Sequence, residues 1–323
     1  MTIKINPDQN KAINSAMTKR SDWGGMSPPS QYTKIWCSDW KYLIILDACR
    51  YDYFEKVFRN YPFIRTGKLE KVHSCGSRTP EWFRCTFKDK VYDEIIYVSA
   101  NPHINSKGIH FRGFNLKDLR FHKVIDVWDW GWSEELGTVH PKEVNKAAII
   151  ASKLYPHKRF IIHYIQPHYP YLSLIARGIG VKLKKGGKTD SRRPFLPRMK
   201  RFIRRRLVEV FGDKTGPKLA IKLVGPPSSP RIRLVARRVG VEGLKRAYEH
   251  NLRVVLSYVS RLVGKLRGGK IVITSDHGEL LGERGMYGHP PWMRVPELIE
   301  VPWLELECPK DDQADQIPVE THV

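Results

Sequence analysis

The sequence lacks any apolar run near the ~18 residues that a transmembrane helix needs. Its opening stretch, MTIKINPDQNKAINSAMTKR, also lacks the apolar core of a signal peptide. From these two absences the chain is expected to be cytoplasmic and at most peripheral on a membrane. The five cysteines, Cys37, Cys49, Cys75, Cys85 and Cys308, include no C-x-x-C pair, so a structural zinc cluster is not expected. Acidic residues are short overall, 33 against 56 Lys plus Arg in 323 residues, for a formal +23. The shortage is local. From Arg177 to Arg246 there are 22 basic and 4 acidic residues, a net +18, while the rest is nearly balanced. A confined basic block implies a polyanionic partner: an anionic membrane surface, a phosphorylated glycan or, less favoured, nucleic acid.

What is present is a globular chain, 41% hydrophobic, with strands and helices in alternation. Tyr42 to Leu46, Ile95 to Ser99, Val124 to Val127, Arg159 to Ile165 and Lys270 to Thr274 read as strands. Helical spacing appears over Arg50 to Phe58, after Thr79 with Pro80 as a first-turn proline, from Pro141 to about Leu154, and along EGLKRAYEHNLRVVLSYVSRLVGKL. The alternation predicts an α/β fold, a mostly parallel central sheet with helices on both faces. Residues 1–40 read as an irregular leader. The catalytic domain would run 41–323, interrupted at 173–240 by a basic insertion or lid. Within that insertion, Phe195, Met199, Phe202, Ile203, Val210 and Phe211 recur among arginines as in a basic amphipathic helix, which places a possible membrane contact at 184–211.

Three strands end in polar residues of one kind: Asp47, His168, and Asp276 with His277. In a parallel sheet the C-terminal strand ends share one edge, where ligands bind. An isolated Asp-His after a strand is often only a turn with a capping carboxylate. Here the oxygen and nitrogen donors gather from several strands, as a divalent cation requires. Ser77 and Thr79 are the nucleophile candidates. Thr79 is favoured because a hydroxyl at a helix N-terminus sits in a positive local field.

With these residues in place, the chain resembles the alkaline phosphatase superfamily, in particular its sulfatase-like and phosphoethanolamine or phosphoglycerol transferase branch. The resemblance runs from about Tyr42 to Trp303 and leaves the basic block unaligned. ILDACRYD is similar to the segment carrying the first metal-binding acid, here Asp47; SDHGE to the one whose Asp276 and His277 bind the same metal. PHYPY and GERGMYGHP look like the segments carrying two further histidines, His168 and His289. In the phosphoethanolamine transferases the attacking Thr lies between two cysteines at the spacing of Cys75, Thr79 and Cys85, which implies Thr79 over Ser77 and a Cys75–Cys85 disulfide. An intracellular location argues against that disulfide.

The departures narrow the function. Sulfatases need a C-x-P-x-R sequence for formylglycine, and this chain has CGSRTPEW. Two-metal phosphatases place an Asp four residues before the middle His, where this chain has Tyr164. The expectation is therefore a phosphoryl-transfer enzyme with one divalent cation, zinc or manganese, rather than two. Asp47, Thr79, Asp276 and His277 would bind the metal, with His163 as a possible extra ligand. Thr79 would be the nucleophile, while His168 and His289 would act on the phosphoryl oxygens or leaving group and Ser77 would touch substrate. The substrate would be a phosphate ester or diester, of a lipid or glycan. The alternatives are sulfate-ester hydrolysis without formylglycine and a non-catalytic binder of anionic surfaces on the same fold.

Overall fold

The computed structural model describes residues 28–88, 91–108, 120–183, 229–291 and 293–309, with isolated positions between 185 and 223. The centre of the fold is β1, Trp40–Leu46, a continuous apolar strand buried on both faces. It lies between β7, Arg159–Tyr164, and β8, Lys270–Thr274, parallel to both, with Ile44 opposite Ile162 on one side and Ile273 on the other. Beyond β7 come β3, Val91–Ser99, and β4, Arg120–Asp126, again parallel. Beyond β8 come β11, Glu300–Glu307, and β2, Lys68–His73. β11 runs antiparallel to both its neighbours. The order is β2-β11-β8-β1-β7-β3-β4, a mostly parallel seven-stranded sheet as the alternation predicted.

The parity of each strand sends its side chains to two apolar layers. Tyr42, Ile44 and Leu46 join Phe160, Ile162 and Ile273 under α2 (Tyr51–Val57), α5 (Pro141–Leu154) and α7 (Pro230–Val263). Leu43 and Ile45 join Ile161, Val272 and Trp303 against α1 (Gln31–Cys37) and α3 (Thr79–Thr86). Both faces are therefore covered. The short elements α4 (Val127–Trp130), α6 (Leu172–Ala176), α8 (Pro296–Ile299), and the small hairpins β5-β6 (132–133, 138–139) and β9-β10 (280–281, 287–288) decorate the C-terminal edge and its approaches.

The structure corrects the domain outline at two places. Part of the supposed leader, Gln31–Cys37, is helix α1, and its Gln31 and Ile35 are buried. At the other end, residues 230–240 of the supposed insertion form the first segment of α7, which breaks at Gly240 (φ 73°, ψ 168°) before continuing to Val263. Ile232, Val235 and Ala236 pack with Tyr169, Tyr171, Leu174, Leu244 and Tyr248 in a third apolar cluster, so this stretch is part of the folded body. The reason is amphipathic: these three residues face inward while the arginines beside them stay outside. The basic helix expected at 195–211 falls mostly outside the described residues; those described at 199, 202, 203, 206, 207 and 209–212 are helical.

Candidate active site

Every strand that ends at the C-terminal edge near β1 contributes to one polar cluster. β1 delivers Asp47 and then turns sharply. Ala48 takes a left-handed backbone conformation (φ 61°), which costs a non-glycine residue on the order of 1 kcal/mol. Its amide donates to Asp276 Oδ1 (3.1 Å) and its carbonyl accepts from the Tyr248 hydroxyl (2.7 Å), so the turn is held from both sides. From β8, Ser275 ties the two strand ends together: its Oγ accepts from Cys49 N (2.8 Å) and lies 2.6 Å from Leu46 O. Gly278 follows because the Glu297 carbonyl sits where a Cβ would be, 2.2 Å away; close approach rather than turn geometry requires the glycine.

α3 delivers Thr79. The N-cap of this helix is Arg78. Thr79 is the first helical residue, and its hydroxyl turns away from the backbone to donate to Asp276 Oδ2 at 2.7 Å. His277 Nε2 lies 3.5 Å from the same hydroxyl, 3.4 Å from Asp276 Oδ2 and 3.5 Å from Asp47 Oδ1. Asp47, Thr79, Asp276 and His277 thus converge, and all four are buried. Cys75 and Cys85 form a disulfide that spans the start of α3, as the resemblance implied.

The electrostatics of this cluster fit a cation. Burial, then the charges of Asp276 and Glu279, push the Asp47 carboxyl well above its usual range. Burial also opposes charge on Asp276, but the neighbouring His277 and His163 and the Thr79 hydrogen bond outweigh it and hold its carboxyl below the usual range. His277 is pushed down by burial, so its imidazole is neutral at pH 7. Its Nδ1 lies 2.8 Å from the Gly278 carbonyl, an acceptor only, so Nδ1 carries the hydrogen and Nε2 presents a lone pair to the two carboxylates. Asp47 Oδ1 is buried with no hydrogen-bond partner. Two buried carboxylates, an orphan oxygen and a lone-pair nitrogen aimed at one point form the ligand set a divalent cation satisfies.

A second set stands beside the first. His168, Glu279 and His289 also bring ligand atoms within 4.8 Å of one another, and the His277 and His289 rings are 4.6 Å apart between centroids. Glu279 Oε1 accepts from His289 Nδ1 (2.9 Å), while Oε2 is buried and unpartnered. Burial raises the Glu279 carboxyl to about 7. His168 Nδ1 is 2.6 Å from the Tyr169 carbonyl, and burial pushes its pKa down to about 4, which leaves a neutral ring with a lone pair on Nε2. The sequence reading named His168 and His289 but did not include Glu279 with them.

Asn101 was missed altogether. Its Nδ2 donates to Asp47 Oδ2 (2.8 Å) and lies 3.5 Å from Thr79 Oγ1, so one amide steadies the carboxylate and faces the hydroxyl. It stands just past β3, so the strand-end logic that found Asp47, His168 and Asp276 would have found it too. His163 sits behind Asp276, 4.0 Å from Oδ2, with Nδ1 2.9 Å from the Tyr97 hydroxyl; burial pushes it down to about 4. Ser77 is buried, its Oγ 2.8 Å from Glu81 Oε2 and 2.9 Å from the Pro290 carbonyl, within the packing that fixes α3 against the His289 loop.

No family model matches the sequence, and no curated protein matches it. The fold is similar to solved structures. One is the soluble domain of lipooligosaccharide phosphoethanolamine transferase A from Neisseria meningitidis, 15% identical, with 88% of this chain and 78% of that one covered and a TM-score of 0.44. Another is the integral membrane form of that transferase, 13% identical, with 92% and 53% covered and a TM-score of 0.46; this chain spans about half its length. A third is the phosphonate monoester hydrolase of Agrobacterium radiobacter, 12% identical, with 84% and 68% covered and a TM-score of 0.48. Among the described residues no helix is long and apolar enough to cross a membrane.

Proposed function

We propose that the chain is a metal-dependent phosphoryl-transfer enzyme that works through a covalent phospho-threonine at Thr79. The observation that carries this is the placement of the Thr79 hydroxyl, 2.7 Å from Asp276 Oδ2 and beside the orphan Asp47 Oδ1 and the lone pair of His277. A degenerate binding protein has no need to aim a buried hydroxyl at such a set.

Asp47, Asp276, His277 and Thr79 would hold one divalent cation, zinc or manganese by donor type. When bound, that ion supplies positive charge that lowers the pKa of a hydroxyl and draws in phosphoryl oxygens. The protein's own part is to orient and to move protons. Asn101 and Ala48 N fix the two carboxylates. With its pKa lowered by that ion, the Thr79 hydroxyl would lose its proton to solvent; Oγ1 then bonds to phosphorus as the bond from phosphorus to the leaving oxygen breaks. His289, backed by Glu279 through Nδ1, delivers a proton from Nε2 to that leaving oxygen. Water or an alcohol then takes the phosphoryl group from Thr79.

His168 takes a different part from the leaving-group role first considered. A neutral ring whose Nδ1 is committed to a carbonyl is an electron-pair donor at Nε2. Were a second cation of the same class held by His168, Glu279 and His289, His289 would be a ligand and water, not His289, would protonate the leaving oxygen. Ser77 positions α3 rather than touching substrate. We place the substrate among phosphorylated lipids or glycans, and the Cys75–Cys85 disulfide favours an oxidising compartment over the cytoplasm.

The test is hydrolysis of nitrophenyl phosphate, bis-nitrophenyl phosphate and nitrophenyl sulfate with added zinc or manganese, with metal content measured in parallel. The expected result is cleavage of a phosphate ester, lost in Thr79→Ala, with one or two equivalents of metal per chain. Full activity in Thr79→Ala would sink the covalent mechanism, and a protein that retains no divalent ion would sink the metal site.

A further inference from the structure

We infer that the outer face of the first segment of α7, with the adjoining end of the α6 loop, is a docking surface for an anionic lipid bilayer. The argument starts from which side chains are left outside. Ile232, Val235 and Ala236 are buried, which turns Arg233, Leu234, Arg237 and Arg238 outward. Leu234 is 39% exposed, and directly after the Gly240 break Val241 is 38% exposed. Arg238 reaches across to the Ile179 carbonyl (3.1 Å), and Ile179 is itself 40% exposed. The face therefore alternates guanidinium groups with partly exposed aliphatic side chains.

The same mixture extends along the basic block. Twelve large hydrophobic residues are exposed among the described residues, and eight of them lie from Ile179 to Val241, including Phe202, Val210 and Phe211. This is also the stretch that carries nearly all the excess positive charge. A merely solvated basic surface has no reason to collect apolar side chains that keep a third or more of their surface in contact with water. Nucleic acid would account for the arginines and for stacking phenylalanines. Six of the eight are Ile, Met, Val or Leu, which gain little from bases and much from the acyl boundary of a bilayer. Charge complementarity then selects anionic over neutral lipid, at a strength that accumulates with each Arg near the surface.

Placement gives this face a use. Ser229 N, at the start of α7, donates to the Tyr287 carbonyl (2.7 Å), two residues before His289, and Val241 lies against Gly282 of the same hairpin. A bilayer held there lies alongside the catalytic edge of the sheet. The inference does not depend on the chemistry at Thr79, since docking is measured without turnover.

The experiment is cosedimentation of the full chain with vesicles of pure phosphatidylcholine and of phosphatidylcholine with phosphatidylglycerol, at low and high salt. Two variants are compared, Arg233→Glu with Arg237→Glu, and Leu234→Ser with Val241→Ser. The surface predicts binding only to the anionic vesicles, weakened by salt, and weakened about tenfold or more in either variant. Nitrophenyl ester hydrolysis should be unchanged in both, which separates loss of docking from loss of the fold or of the catalytic reading. Equal binding to neutral vesicles, or anionic binding untouched by the Leu234 and Val241 changes, overturns the proposal. So does an absence of vesicle binding together with tight, salt-sensitive binding to single-stranded RNA.

Discussion

Asn101 shows how much a single neutral side chain can organise. Asp47 and Asp276 meet at one point, and burial, followed by the charge of Asp276, pushes the Asp47 carboxyl upward. Asn101 holds Asp47 Oδ2 in place, which leaves the buried Oδ1 turned toward His277, and its amide also lies within 3.5 Å of Thr79. Asn101→Ala should therefore retain the fold and most of the bound metal while kcat for a phosphate ester falls about 10- to 100-fold. Steady-state kinetics with metal analysis checks this; unchanged kcat would mean that Asp47 is oriented well enough without the amide. At this scale the sequence was legible wherever a polar residue interrupts an apolar strand, as at Asp47 and Asp276. It was not legible at Glu279, whose burial to 0% depends on packing by distant loops.

Among the elements, the parallel core was readable and the antiparallel flank was not. β1, β7 and β8 are runs of Ile, Leu, Val and Phe bounded by polar residues, the pattern of strands buried on both faces. β2, KLEKVH, is half-exposed at the sheet edge and alternates charged residues with apolar ones too sparsely to stand out. α1 carries a signal of another kind that composition conceals. Gln31 donates from Nε2 to Ser275 O (2.6 Å) and Thr274 Oγ1 (2.8 Å) and accepts from Trp82 Nε1 (3.0 Å), thereby joining the strand that carries Asp276 to the helix that carries Thr79. No local pattern announces a glutamine whose three partners lie 51 to 244 residues away. The loop after β8 is similarly constrained by α8, because the Gly278 amide donates to Leu298 O (2.8 Å) under the Glu297 carbonyl. Gly278→Ala would force these segments apart, costing about 3 kcal/mol. Chemical denaturation should show that loss, and the proposed metal site should weaken with it because His277 adjoins the displaced bond. A loss under 0.5 kcal/mol, on the order of a surface change, would show that the loop yields.

For the whole molecule, charge is the dominant departure from an ordinary α/β protein. A net +23 with its excess in one stretch stores self-repulsion in the folded state. Raising ionic strength from about 10 mM to about 150 mM shortens the screening length from ~30 Å to ~8 Å. The melting temperature should rise over that range, most of all with multivalent anions; a flat profile in calorimetry would mean that the fold separates these charges well enough already. The arrangement of the sheet bears on how the molecule comes into being. Its central strand is made early, yet its two neighbours are β7 and β8, synthesised more than a hundred and more than two hundred residues later. On a ribosome, Asp47 and Thr79 emerge long before Asp276 and His277 exist to receive them. No nascent chain that stops short of β8 holds the complete cluster, so the site proposed around Thr79 assembles only after the strand that carries Asp276 and His277 has been made.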